Sequence, residues 1–230
     1  SSLQKYVCYV GGLPVAPRAP WFYKNPFAAE SVVDEYTRPC RFRIDGKQVV
    51  LEPLSDPEEL EFAGAGRFVA FNTDGIRTLL ENLPRVPTLV EKTLRYREHY
   101  DLMRTLQAAG FLAPEHAAMF TEVARKGWRF EDGEEDITVM RLVFEGTLQG
   151  GEEARLSFDL FDRYDAQAGL LSMARTTGFT ATAIGRLILS GQLKEWGVHA
   201  PEKLGMNARW YGALLGDLKA RGIGFTESRR

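Results

Sequence analysis

The order of apolar and polar residues divides the chain into short β-type runs followed by longer helical ones. Aromatic and β-branched residues fill 5–10, which predicts a buried strand. Gly11-Gly12-Leu13-Pro14 is expected to break it. The proline-rich stretch from Pro14 to Pro26 then reads as an ordered loop, because proline removes donors and fixes φ. A short helix is expected over 29–36, stopped before Pro39. Runs at 41–44 and 48–52 flank Asp45-Gly46, the strongest local hairpin signal. After an acidic loop, 67–71 is a strand. Asn72-Thr73-Asp74-Gly75 then turns into a helix over 76–83, ended by Pro84 and Pro87, and 89–94 is again a strand.

Leu102, Met103, Leu106 and Ala109 recur near the helical period and predict a helix over 98–109, with Gly110 as its stop. Pro114 opens another, to 126, before a charged loop over 129–136. The longest strands are 137–145 and 155–164, joined at Gly150-Gly151. Helices over 179–190 and 208–220 end at Gly191 and Gly222, and 223–226 adds an edge strand. With about six or seven strands and five helices, mostly paired as hairpins, the fold class is α+β. The expected architecture is a mixed, largely antiparallel sheet with helices packed on one face. Without a linker or repeat, 1–230 reads as one domain.

Composition narrows the function. The 230 residues carry 29 Lys and Arg against 31 Asp and Glu, a net charge of −2. That balance gives no strong attraction to nucleic acid or to an anionic membrane. No apolar run approaches the roughly 20 residues that span a bilayer. Two cysteines, Cys8 and Cys40, suit a reducing, cytoplasmic setting rather than a disulfide framework. The three histidines, His99, His116 and His199, lack metal-ligand spacing, so no metal site is expected. The chain opens on Ser1 and enters a strand at once, with no signal peptide, which hints at a piece of something longer.

No self-sufficient catalytic motif is present. Gly64-Ala65-Gly66 precedes a strand, whereas a dinucleotide fingerprint needs strand, glycine turn and helix in that order. Three clusters carry candidate chemistry. Asn72 to Arg77 lies at a strand-to-helix junction suited to an anion, with Arg77 able to fork onto a carboxylate; equally, Asp74 caps the helix. Arg95 and His99 are four apart and suit an acidic substrate and a proton transfer; equally, they form an exposed helix start. Thr176-Thr177-Gly178 offers a hydroxyl and free N–H groups at a helix opening; equally, Thr177 is an ordinary cap. Asp159, Asp162 and Asp165 lie on a strand and read as solvated rather than as a calcium loop.

These clusters share an order with further segments: Gly11-Gly12-Leu13-Pro14, Asp34-Glu35-Tyr36-Thr37-Arg38-Pro39, Phe71 to Leu80, Lys92 to Tyr96, and Met173 to Gly178. In that order the chain resembles the C-terminal, substrate-side portion of the saccharopine dehydrogenase and lysine 6-dehydrogenase family, over nearly its whole length. One departure is Arg97-Glu98 before His99, where the family commonly reads Pro-Gly.

The resemblance implies an N-terminal Rossmann domain for NAD or NADP that this chain mostly lacks. It also implies dimerisation through the sheet and hydride transfer at a C–N bond of a lysine-type amino acid. The region from Met173 to Ser190 would return to the Rossmann domain. Carried over residue by residue, His99 and Asp74 become catalytic candidates. Arg77, Arg95, Tyr96, Asn72 and Gly12 become substrate-binding candidates, and Thr176, Thr177 and Gly178 cofactor-binding ones. The chain alone is expected to bind NAD(P) weakly and to be inactive. The rival reading is a stand-alone module that binds a small metabolite or only dimerises.

Overall fold

The computed structural model describes residues 2–229, and one sheet of nine strands runs through it. At its centre β1 (Ser2–Pro14) pairs in parallel with β6 (Thr88–Arg95) and antiparallel with β7 (Asp136–Thr147). Beyond β7, β8 (Glu153–Arg163) and β9 (Phe225–Arg229) continue antiparallel. Two hairpins share the far edge of β6. The pair β2 (Cys40–Ile44) and β3 (Lys47–Leu51) meets it at Leu89. The pair β4 (Glu58–Phe62) and β5 (Gly66–Asn72) lies along Lys92 to Arg95. The sheet is therefore mixed and largely antiparallel.

Residues in register share a face. Phe71, Thr93, Val10, Met140 and Leu160 form one row across five strands. The described helices are α1 (Ala29–Thr37), α2 (Leu79–Asn82), α3 (Arg97–Ala108), α4 (Ala117–Gly127), α5 (Ser172–Leu189), α6 (Pro201–Gly205) and α7 (Ala208–Ala220). At one end of the row, α1, α3 and α4 close over Val69 and Phe71, with the fully buried Trp128 at their centre. At the other end, Phe179 of α5 with Leu214 and Leu218 of α7 close over Met140 and Leu160. The main helices thus cover one face, as the pattern predicts. On the opposite face Leu13, Ala70, Leu94 and Val139 are sealed by Phe62 and Phe68 of the β4–β5 hairpin.

Four local expectations are corrected. Strand β1 runs straight through Gly11-Gly12 to Pro14. These glycines permit close packing rather than a turn: a Cβ on Gly11 would sit 2.7 Å from the Leu94 carbonyl oxygen. The acidic loop contains β4, whose Leu60 and Phe62 turn inward while Glu59 and Glu61 stay out. The helix expected over 76–83 is a single turn, since Arg77 takes a left-handed backbone with φ of 51°. Helix α5 begins seven residues earlier than its own sequence suggests, at Ser172 rather than at 179. The buried Asp136 carboxylate accepts from the N–H groups of Ser172 and Met173 at 2.6 and 3.0 Å. A cap from 36 residues upstream leaves no local signal.

Two glycine substitutions should separate these roles in urea unfolding. Gly11→Ala meets backbone at 2.7 Å and should cost about 1–3 kcal/mol. Gly178→Ala, inside α5 with nothing within 4 Å, should be neutral or stabilise by about 0.5–1 kcal/mol. Equal effects of the two would contradict the packing role given to Gly11.

Candidate functional site

The turn after β5 and the face of α1 enclose a polar cleft of ≈ 370 Å³. Phe27, Asp34, Glu35 and Arg38 border it on one side, and Thr73, Asp74, Gly75 and Arg77 on the other. Glu91 and Thr93 of β6 also line it. Both point to the helical side of the sheet, because they alternate with Val90, Lys92 and Leu94.

Asp74 takes a different part from helix capping. Its two oxygens accept a forked pair from Arg41, at 3.1 Å to Nε and 2.9 Å to Nη2, and Oδ1 also accepts the Arg41 N–H. Burial alone would raise its pKa, but these bonds outweigh that and hold the carboxyl below the usual range. Arg77 stands 4.0 Å from the same carboxylate with 58% of its side chain exposed. Its guanidinium is therefore available to a ligand.

Arg95 is the opposite case, with 2% of its surface exposed. It donates to Glu35 at 2.6 Å, to the Tyr36 hydroxyl at 2.9 Å and to the Leu94 carbonyl at 2.9 Å, and it stacks 4.6 Å over Tyr23. His99, fully buried, bonds through Nε2 to the Tyr36 hydroxyl at 2.9 Å and through Nδ1 to the Trp21 carbonyl at 2.7 Å. Burial, helped by the nearby Arg95 charge, pushes its pKa down to about 3. A neutral, sealed imidazole shuttles no proton with a ligand near neutral pH, which corrects the proton-transfer expectation. Arg95 reaches the cleft only through Glu35.

The remaining expected site residues lie elsewhere. Asn72 is buried and donates to Ser55 Oγ at 3.0 Å. Tyr96 donates its hydroxyl to the Pro14 carbonyl at 2.8 Å and packs on Phe68. Gly12 lies against Met173 and Pro26. Thr176, Thr177 and Gly178 sit inside α5, not at a helix opening. The two hydroxyls donate back to Ser172 and Met173 carbonyls, so neither threonine is a cap and no free N–H groups stand there. Asp162 and Asp165 are not solvated: both pair with the buried Arg175. Among the described residues no group of three His, Cys, Asp or Glu is placed to hold a metal ion.

Sequence reasoning passed over Glu91. A carboxylate directly after Leu89-Val90, inside an expected strand, was the available signal. Its carboxyl accepts from Thr73 Oγ1 at 2.7 Å, and Thr73 in turn meets Thr93 Oγ1 at 2.8 Å. Burial is the main cause that pushes its pKa up to about 8.

A second concavity of ≈ 590 Å³ lies between α5, α6 and α7 and is apolar, lined by Ile184, Leu204, Trp210 and Leu214 with Thr176 and Thr177 at its edge. Leu189, Trp196 and Val198 are nearly fully exposed in the same region. No helix among the described residues is long and apolar enough to cross a membrane.

Comparison with known proteins finds a matching family and structural relatives. The family model of the saccharopine dehydrogenase C-terminal domain matches residues 1–223. Among solved structures, an apo histidine-tagged saccharopine dehydrogenase (L-Glu forming) from Saccharomyces cerevisiae superposes with a TM-score of 0.79 at 19% identity. The match covers 99% of this chain and 67% of that one. At that identity the likeness shows the shared fold.

The sealed His99 has a consequence for acid stability. Its folded pKa of about 3 lies below the ordinary 6.5, so between these values the unfolded chain binds the extra proton. Stability should fall as pH drops from 6.5, by up to about 1.4 kcal/mol per pH unit from this group. The slope should flatten in His99→Gln. Urea midpoints from pH 7 to pH 4 for both chains measure it, and parallel curves would show that His99 titrates normally.

Proposed function

The chain belongs to the saccharopine dehydrogenase C-terminal domain family, an oxidoreductase family, and we propose that it is the substrate-binding and dimerisation domain of an NAD(P)-dependent enzyme. The reaction in this reading is hydride transfer at a C–N bond of a lysine-type amino acid. The observation that carries it is Arg77, an exposed guanidinium held at the cleft in a left-handed backbone that disfavours any side chain. Strain kept at a cleft residue is expected where the side chain is needed there. A guanidinium forks onto a carboxylate in two parallel hydrogen bonds. A cleft that pairs such a group with several carboxylates suits a zwitterion. Asp74 then acts as a positioning residue, pairing with both Arg41 and Arg77.

The dinucleotide fits these residues poorly. The N-terminus of α5, which would have met its phosphates, is taken by Asp136. In this reading NAD or NADP, which would accept the hydride, is held by a Rossmann domain packed on the apolar surface of α5 to α7. The share of the yeast enzyme left uncovered by the match, and the exposed Leu189, Trp196 and Val198, support that arrangement.

Substitution of Arg77 by glycine separates function from folding. Glycine adopts the left-handed backbone without strain, so Arg77→Gly should unfold no earlier than the parent and gain up to about 1 kcal/mol. Its affinity for L-lysine, measured by calorimetry, should fall about tenfold with the lost charged pair. Unchanged affinity would remove Arg77 from the site.

A further inference from the structure

The carboxylates around the cleft are unequal. Asp34 pairs with Arg38, Glu35 with Arg95, and Asp74 with Arg41 and Arg77. Glu91 has 6% of its surface exposed and, among the described residues, no cation within ion-pair range. Its bonded partners are uncharged, the Thr73 hydroxyl and the Gly75 N–H. The turn above it is built to lie close, since any Cβ on Gly75 would overlap the Glu91 carboxyl. A buried carboxylate without a counter-charge is costly, and a cation delivered from outside would remove that cost.

We propose that Glu91 is the seat for the side-chain ammonium of a diamino acid, which completes an ion pair this chain leaves open. This rests on the reading of the cleft as an amino-acid site. Arg77 is largely exposed at the mouth and takes the α-carboxylate, so the group that reaches the buried Glu91 is the far end of the side chain. A primary ammonium fits better than a metal ion, because no third ligand stands beside it among the described residues. It also brings three N–H donors, enough for the carboxyl and the Thr93 hydroxyl together.

Protons balance simply. In the empty cleft Glu91 is protonated at neutral pH, its pKa standing at about 8. Arrival of R–NH3+ favours the carboxylate: the Glu91 O–H bond breaks, a carboxylate–ammonium pair forms, and the proton leaves to solvent. The charged and titratable groups around Glu91 are Tyr6 and Cys8 of β1, Cys40 of β2, Glu35 of α1 and Arg95 of β6, with Asp74 and Arg77 of the turn and Asp34 and Arg38 across the cleft. Tyr6, Cys8 and Cys40 are themselves pushed up by burial and stay neutral across this range.

L-lysine and L-norleucine, which differ by the terminal ammonium, are the probes. Calorimetry on the full chain at pH 7, in buffers of different ionisation enthalpy, gives both affinity and protons released. Lysine should bind about tenfold tighter than norleucine. It should release about one proton per ligand, and norleucine none. Glu91→Gln, in which the Thr73 bond has an acceptor still, should bind the two equally and release no proton. An unmodified chain that prefers lysine without releasing a proton overturns the inference whether or not the variant folds. So does a variant that keeps the preference; the amino-acid reading of the cleft then stands. If neither amino acid binds the unmodified chain, that reading falls and the inference with it.

Discussion

A guanidinium taken out of water governs the helical half of the molecule. Burying Arg95 costs several kcal/mol unless nearly every donor is met. The partners that meet them come from separate elements: Glu35 and Tyr36 from α1, Leu94 from β6, and the Tyr23 ring from the proline-rich loop. Each is therefore pinned where the guanidinium needs it. Tyr36 passes the constraint on to His99 of α3, and His99 to the Trp21 carbonyl. The loop, two helices and the sheet are locked through one chain of hydrogen bonds, with Trp128 packed edge-on against Trp21, Tyr23 and Tyr36. Because α1 is held this way, its outer edge presents Asp34 and Glu35 to the cleft. The cleft wall is a by-product of solving the burial of Arg95.

A comparable polar knot fixes the other half. Asp136 caps α5, while Asp162 accepts from Ser172 Oγ at 2.7 Å and holds Arg175. Arg175 also reaches the Arg221 carbonyl at the end of α7. Apolar contacts at Leu160, Leu218 and Ile223 are few here, and several flanking hydrophobes stay exposed. Hydrophobic burial is non-directional and would let α5 slide on the sheet. Directional bonds at its first turn set where the helix starts and leave its far end, with Ile188 and Leu189, projecting outward.

The elements that were legible in the sequence carry their signals locally. Asp45-Gly46 names its own hairpin, and the alternation along β8 names its strand. What was hidden depends on distant groups. Gly11-Gly12 looks like a break until Leu94 and Met173 are seen against it. Thr176-Thr177 looks like a helix start until Asp136 supplies the cap from another strand. For the site, the motif around Asp74 and Arg77 led to the cleft, since both are charged at a turn and Arg77 stays exposed there. Arg95 and His99 drew attention for the same residue types, yet burial reverses what those types do. Only tertiary packing reports burial, which is also why Glu91 was missed.

The Arg97-Glu98 pair shows how far a departure in sequence can lie from a departure in function. It replaces a Pro-Gly just before His99, and from sequence it adds charge beside the site. In the structure Arg97 opens α3 and turns away from the cleft, pairing with Glu59 of β4 and with Asp101 one turn along its own helix. Neither residue lines the cleft. The backbone that the Pro-Gly would have stiffened is held instead by Tyr96, tied to Pro14, and by His99, tied to Trp21. The added Arg97 charge is thus spent on docking α3 against the β4–β5 hairpin. The charge pattern the cleft offers a ligand is set by Glu35, Asp74, Arg77 and Glu91, which the departure leaves untouched.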